Sequence, residues 1–294
     1  MAKLKINLIP SLQKLNLFAK GLVSTRFMGN YASVFKGQGL EFADYRVYSP
    51  SDDASLIDWK ASSRARKLLI KEFMEERNID VYFIVDVSSK MMLGSMPKLK
   101  AEYVAELVAS FAHTVLKAGD HVGVTMFADN ISKDILPGAG LGHLRLLTDS
   151  LSNLNNYGGE SNLNKALAHA LKTFPPGSLV ILISDFIGET NFEKELKFVA
   201  QKFDLICMMV RDPIDMELPS GMGEVLVQDP VTGERMLIYP NDLKEYYSKE
   251  TKREIAHLVR LFRDVGADFL PLYTNKSFVE DLIIFFKQRQ SEWR

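Results

Sequence analysis

Two stretches of the chain are apolar without interruption: Val81-Tyr82-Phe83-Ile84-Val85 and Leu179-Val180-Ile181-Leu182-Ile183. Such short runs predict strands covered on both faces, because a half-exposed strand would alternate with polar positions. Around them the apolar period becomes helical. Lys98 to Ala118 carries Tyr103, Leu107, Phe111 and Val115 on one stripe, the mark of a helix packed on one side. Leu141 to Leu154, Leu163 to Phe174, Phe192 to Phe203, Leu243 to Val265 and Phe278 to Phe286 also read as helices. Val122 to Phe127, Leu205 to Val210 and Phe269 to Tyr273 read as strands, with Ile131 to Leu136 pairing beside the first. This alternation predicts an α/β fold, a mostly parallel sheet with helices on both faces. Val225-Leu226-Val227 and Met236-Leu237-Ile238 flank a Pro-Val-Thr-Gly-Glu turn, which predicts a hairpin inserted over 223–240.

The first 80 residues follow another pattern. Apolar positions at 4, 8, 12, 15, 18 and 22, interspersed with Lys3, Lys5, Lys14 and Lys20, predict an amphipathic helix starting at Pro10, since proline suits a first helical turn. Residues 34–48 read as extended structure around Gly37 and Gly39. A turn over Ser49-Pro50-Ser51-Asp52-Asp53, a short helix around Leu56-Ile57-Asp58-Trp59 and a strand from Leu68 to about Glu75 follow. The division is therefore 1–78, a helix plus a small strand-rich domain, and 79–294, the α/β domain.

Composition agrees with a globular chain: 294 residues, 47% hydrophobic and 25% charged, with a net charge of -1. Residues 1–80 hold 13 basic against 9 acidic side chains and the remainder 23 against 28. Neither part has the one-signed charge of a nucleic-acid binder. The lone Cys207 excludes a disulfide framework and a cysteine zinc cluster. No apolar run reaches the ~18–20 residues of a transmembrane segment, and the N-terminus lacks a signal-peptide core. The expectation is a cytoplasmic protein.

Candidate chemistry lies where the two apolar strands end. Asp86 follows the first, in Asp86-Val87-Ser88-Ser89-Lys90-Met91, and Asp185 follows the second. Gly158-Gly159-Glu160-Ser161-Asn162-Leu163 lies between them. Ligands of such sheets bind beyond the carboxyl ends of the strands, and carboxylates with hydroxyls are the donors of an oxygen-ligand cation site.

These residues resemble the von Willebrand factor A fold and its metal-ion-dependent adhesion site. That site has Asp-x-Ser-x-Ser after the first strand, a Gly-Gly-Thr-like loop, and an Asp after the fourth strand. Asp86, Ser88, Ser161 and Asp185 fall on those positions, with Ser161 for the threonine and Lys90 in place of the last serine. Upstream, Tyr45 to Asp53, Ile57 to Arg64 and Leu69 to Phe73 resemble the signature of domain-of-unknown-function family 58, which places this segment before an A-like domain. Arg46, Asp52, Asp53, Asp58, Trp59 and Arg64 carry that likeness. Ser51 and Ser55 depart from the usual glycine and arginine.

The resemblance implies a non-enzymatic adaptor or co-chaperone. Its partner would be a protein, a MoxR-type AAA+ ATPase and its client, because family genes commonly neighbour those for such ATPases. Binding would use the face of Asp86, Ser88, Lys90, Ser161 and Asp185, with Mg²⁺ or Mn²⁺ there weakened or replaced by the Lys90 ammonium. An inward Lys90 would lie between Asp86 and Asp185; an outward one would leave the four ligands free. The alternative is a metal-dependent hydrolase using Asp86 and Asp185. Against it stand the absence of a phosphate loop, of His-Glu-x-x-His and of Gly-x-Ser-x-Gly, and five histidines without ligand spacing. Asp52, Asp53 and Asp58 read as turn and cap residues pairing with Arg46, Arg64 and Arg66. Trp59 reads as an anchor of a core or a domain interface.

Overall fold

The computed structural model describes residues 3–6, 40–49, 52–75, 79–189 and 191–291. The helix expected from Pro10, the Gly37–Gly39 turn and the junction 76–78 lie outside these residues. The described chain forms two compact units, one over 40–75 and one over 79–291. Residues 3–6 group with the second rather than with the small strand-rich unit. There Lys3 bridges Asn153, the Leu4 N–H donates to the Ser152 carbonyl at 2.9 Å, and the Leu4 side chain is buried.

In the small unit, β1 (Leu40–Val47) leads through a short 3-10 turn to α1 (Trp59–Ala65), and β2 (Leu69–Glu75) returns antiparallel to β1. Its acidic residues do the local work expected of turns. Asp53 accepts from the Ser55 N–H at 2.9 Å, and Asp58 accepts from the N–H groups of Lys60 and Ala61, both at 3.0 Å. A carboxylate at a helix start satisfies donors that lack an intrahelical partner. Arg46 grips Asp52 with both guanidinium nitrogens, at 2.9 and 3.1 Å. Trp59 is not a core residue: it stands 68% exposed on the first turn of α1. The buried residue of that helix is Ser62, whose hydroxyl accepts from the Leu69 N–H at 2.8 Å.

The larger unit runs β3 (Asp80–Asp86), α2 (Lys100–Lys117), β4 (His121–Phe127), β5 (Ile131–Gly138), α3 (Gly140–Ser152), α4 (Leu163–Thr173), β6 (Leu179–Ser184), α5 (Glu193–Lys202) and β7 (Asp204–Arg211). It continues with α6 (Pro213–Met216), the hairpin β8 (Val225–Gln228) and β9 (Arg235–Ile238), α7 (Pro240–Val265), β10 (Asp268–Tyr273) and α8 (Phe278–Ser291). Six strands form one sheet in the order β10-β7-β6-β3-β4-β5, parallel except for β5. The expected elements are present. Only the one-turn α6 had no apolar period to announce it, and α7 begins three residues early because Pro240 takes its first turn.

Side chains alternate across a strand, and β3 shows why its run is wholly apolar. Val81, Phe83 and Val85 pack under α2, α3 and α8, whereas Tyr82 and Ile84 pack under α4, α5 and α7. Both edge strands carry a proline, Pro137 in β5 and Pro271 in β10, where a missing N–H costs no ladder bond. From β3 the chain steps through α2 to β4 on one side, and later returns through α4 to β6 on the other. The order reverses between β3 and β6, and ligands of such sheets bind beyond the carboxyl ends at this switch.

Candidate functional site

Asp86 is the last residue of β3 and Asp185 the first beyond β6, so the parallel pairing of these strands sets them side by side. Both are fully enclosed. Oδ2 of Asp86 accepts from the Ser184 hydroxyl at 2.6 Å and the Ser161 hydroxyl at 3.1 Å, and Oδ1 accepts from the Ser88 N–H at 2.9 Å. Burial, and then the charge of Asp185, push the Asp86 carboxyl above the ordinary aspartate range against these hydrogen bonds. The buried Ser88 hydroxyl lies beside Asp86 and helps hold its carboxylate down, although it makes no hydrogen bond of good geometry.

The loop carrying Ser161 is laced to the strand end. The Gly158 N–H donates to the Val87 carbonyl and the Ser89 N–H to the Gly159 carbonyl, each at 2.9 Å. Both glycines have positive φ, 134° and 81°, a region that side chains with a Cβ enter at a cost.

Asp185 is held differently. Its Oδ2 accepts from the Lys100 ammonium at 2.7 Å, and its Oδ1 accepts from the Ile187 N–H at 3.0 Å. Lys100 opens α2, is 1% exposed, and donates also to Asp215 Oδ2 at 2.9 Å. Burial alone would push the Lys100 ammonium down, but the charges and hydrogen bonds of Asp185 and Asp215 outweigh it and hold its pKa above the usual lysine value. Lys90 does turn inward, yet it does not lie between the two aspartates. Its ammonium donates to the Ile187 carbonyl at 2.6 Å, 4.0 Å from Asp185 Oδ1 and 3.7 Å from Glu189.

Sequence reasoning brought Asp86, Ser88, Ser161, Asp185 and Lys90 to one strand-end face, and the structure assembles all five there. It missed Lys100, Asp215 and Ser184. A signal existed for Lys100: it precedes Tyr103 and Leu107 by three and seven residues, in phase with the apolar stripe. A third strand-end aspartate, Asp212 after β7, was also passed over. It accepts from the Ser95 hydroxyl and from the Thr274 hydroxyl at 2.8 Å. Beside it the buried Arg211 donates to the Asp185 carbonyl at 3.0 Å and pairs with Glu254 at 2.8 Å. Arg46, Asp52, Asp53, Asp58, Trp59 and Arg64 belong to the small unit.

A divalent ion fits this arrangement poorly. Asp86 is filled by neutral donors, and Asp185 by an ammonium and an N–H. Two unit charges ~4 Å apart interact by about 4 kcal/mol at an effective dielectric near 20, and a divalent ion doubles that repulsion. Among the described residues no three His, Cys, Asp or Glu side chains group as a metal site. The histidines stand elsewhere. His121 pairs with Asp80 at the amino end of β3, His143 meets the Val122 carbonyl, and His169 pairs with Asp134. His257 faces Glu193 from α7, and His113 sits within α2. Cys207 is buried in β7, where desolvation pushes its thiol well up.

The uncharacterized protein Rv1480 of Mycobacterium tuberculosis is 23% identical over 287 residues, covering 96% of this chain and 90% of that protein. Among solved structures, the conserved hypothetical protein BatB from Bacteroides thetaiotaomicron matches with a TM-score of 0.48 at 15% identity, over 73% of this chain and 100% of that one. The VWA domain of SpRpn10 matches with a TM-score of 0.38 at 10% identity, over 70% of this chain and 94% of that one. Residues 44–257, about three quarters of the chain, match the family described as "Protein of unknown function DUF58". With this match spanning both the small unit's segment and the six-stranded, mostly parallel sheet, the chain belongs to the DUF58 family.

Proposed function

We propose that this protein is a non-enzymatic binding module, an adaptor or co-chaperone whose working surface is the strand-end face of Asp86, Ser88, Lys90, Ser161 and Asp185. The observation that carries this reading is the convergence of the five residues at the ends of β3 and β6, where the part-exposed Lys90 and Ser161 stand beside the buried Asp86, Ser88 and Asp185. Ligands of such sheets bind at this switch in strand order, which sets Lys90 and Ser161 where a partner would arrive. The same face offers no histidine as a general base, which weighs against the hydrolase reading. No helix among the described residues is long and apolar enough to cross a membrane.

The partner class that the family resemblance favours is a MoxR-type AAA+ ATPase together with its client. Co-purification from native extract, with and without nucleotide, tests this. The full chain should capture the ATPase, and Lys90→Ala, at a part-exposed position, should weaken capture at least severalfold. Turnover of phosphoester or peptide substrates, lost in Asp86→Ala, would overturn the reading.

A further inference from the structure

In an adhesion site of this fold, a divalent ion would neutralise the paired strand-end aspartates. We propose that here the resident cation is the protein's own Lys100 ammonium, and that the face therefore works without a metal. Lys100 Nζ bridges Asp185 Oδ2 at 2.7 Å and Asp215 Oδ2 at 2.9 Å, and both Lys100 and Asp185 are essentially sealed from solvent. The ammonium is delivered by the first residue of an 18-residue helix that is buried along most of its length from Lys100 to Val115. Its position is therefore a property of the fold rather than of a mobile surface side chain.

The remaining valences close around it. The Lys90 ammonium covers the other side of Asp185, 4.0 Å from Oδ1. Asp86 needs no cation because the Ser184, Ser161 and Ser88 donors fill it. Lysine has three donors and no acceptor, so Lys100 satisfies carboxylates but cannot bridge to a partner's carboxylate as an open metal position does. The partner-facing positive charge falls to Lys90, whose side chain is 23% exposed. A purely structural ion triad would leave metal affinity unmoved when its lysine is removed. A cation that substitutes for a metal predicts the opposite.

The test is titration of the purified full chain with Mg²⁺ and Mn²⁺, followed by calorimetry and by thermal unfolding. It uses the chain alone, so although the proposal concerns the face of the adaptor reading, its failure is distinct from failure to capture a partner. The unmodified protein should show no saturable binding and no metal-dependent rise in Tm. Lys100→Met should unfold at lower temperature, and Mn²⁺ should restore part of that loss by taking the place between Asp185 and Asp215. Its Mn²⁺ affinity should exceed that of the parent by roughly tenfold or more, and Lys100→Arg should behave as the parent. Saturable binding by the parent that Asp185→Asn abolishes would overturn the proposal. So would a folded Lys100→Met that gains no affinity. If Lys100→Met does not fold, the parent titration decides alone: absent binding supports the proposal and saturable binding at Asp185 ends it.

Discussion

The Lys100 ammonium donates to Asp185 Oδ2 at 2.7 Å, although 85 positions separate the two residues. One opens a helix on one face of the sheet and the other ends a central strand. Their meeting makes the strand-end face a closed network of charge in which Asp215 and Lys90 share.

Breaking that pair should cost far more than breaking a surface one. Lys100→Met leaves Asp185 and Asp215 without their common counter-ion, and removal of one partner from a buried pair costs about 3–5 kcal/mol. In a double-mutant cycle with Asp185→Asn, the two losses should fall short of additive by more than about 1 kcal/mol. Denaturant unfolding of the four proteins measures this. Additive losses would show that the two side chains act independently.

The glycine loop should be sensitive to a single methyl group. Ala at position 158 or 159 must adopt a φ of 134° or 81°, and a left-handed conformation costs a non-glycine residue about 1–2 kcal/mol. A Cβ on Gly159 would also stand 3.0 Å from Asp129 Oδ1. Each variant should lose stability in that range, and partner capture should fall with it because the loop positions Ser161. Unchanged capture in a destabilised variant would separate the loop from the binding face.

Acid should act on the small unit through Asp58. The Ala61 N–H, followed by contacts with Lys71 and Tyr45, lowers its carboxyl from 3.8 to about 2 despite partial desolvation. A folded pKa below the unfolded one contributes stability above the unfolded value and loses it as pH falls through the folded value. The stability difference between the parent and Asp58→Asn should therefore be full above pH 3.8 and vanish by about pH 2. Asparagine keeps the cap but not the charge. Thermal unfolding across that window checks this, and a difference independent of pH would remove the ionic contribution.

Trp59 and Phe83 should respond very differently to truncation. Phe83 is buried in β3, with its ring edge-to-face with Phe111 at 5.6 Å, so Phe83→Ala should cost about 3–5 kcal/mol. Trp59 is exposed, and Trp59→Ala should change stability by no more than about 0.5 kcal/mol. Chemical denaturation of the two variants decides it.

Much of the larger unit could be read directly from the chain. β3 and β6 announce themselves as unbroken apolar runs because helices cover both faces, and the aspartates that end them mark the site. The caps Asp53 and Asp58 were legible for the same reason, since a cap acts on donors only two or three residues away. The features that escaped depend on distance along the chain. Lys100 lies in phase with an apolar stripe, but nothing in its neighbourhood shows that the carboxylates which make its burial tolerable arrive from Asp185 and Asp215. Lys90 could be placed at the site by the resemblance to the adhesion-site motif, whereas its turn toward the Ile187 carbonyl was set by a loop beyond β6. Trp59 has the area of a core residue, yet its turn of α1 faces solvent and the small Ser62 takes the buried side. Local periodicity determines which strands and helices form and which residues end them. Only the packed sheet, by bringing together strand ends that are remote in sequence, decided which charges neutralise one another and therefore what the site can hold.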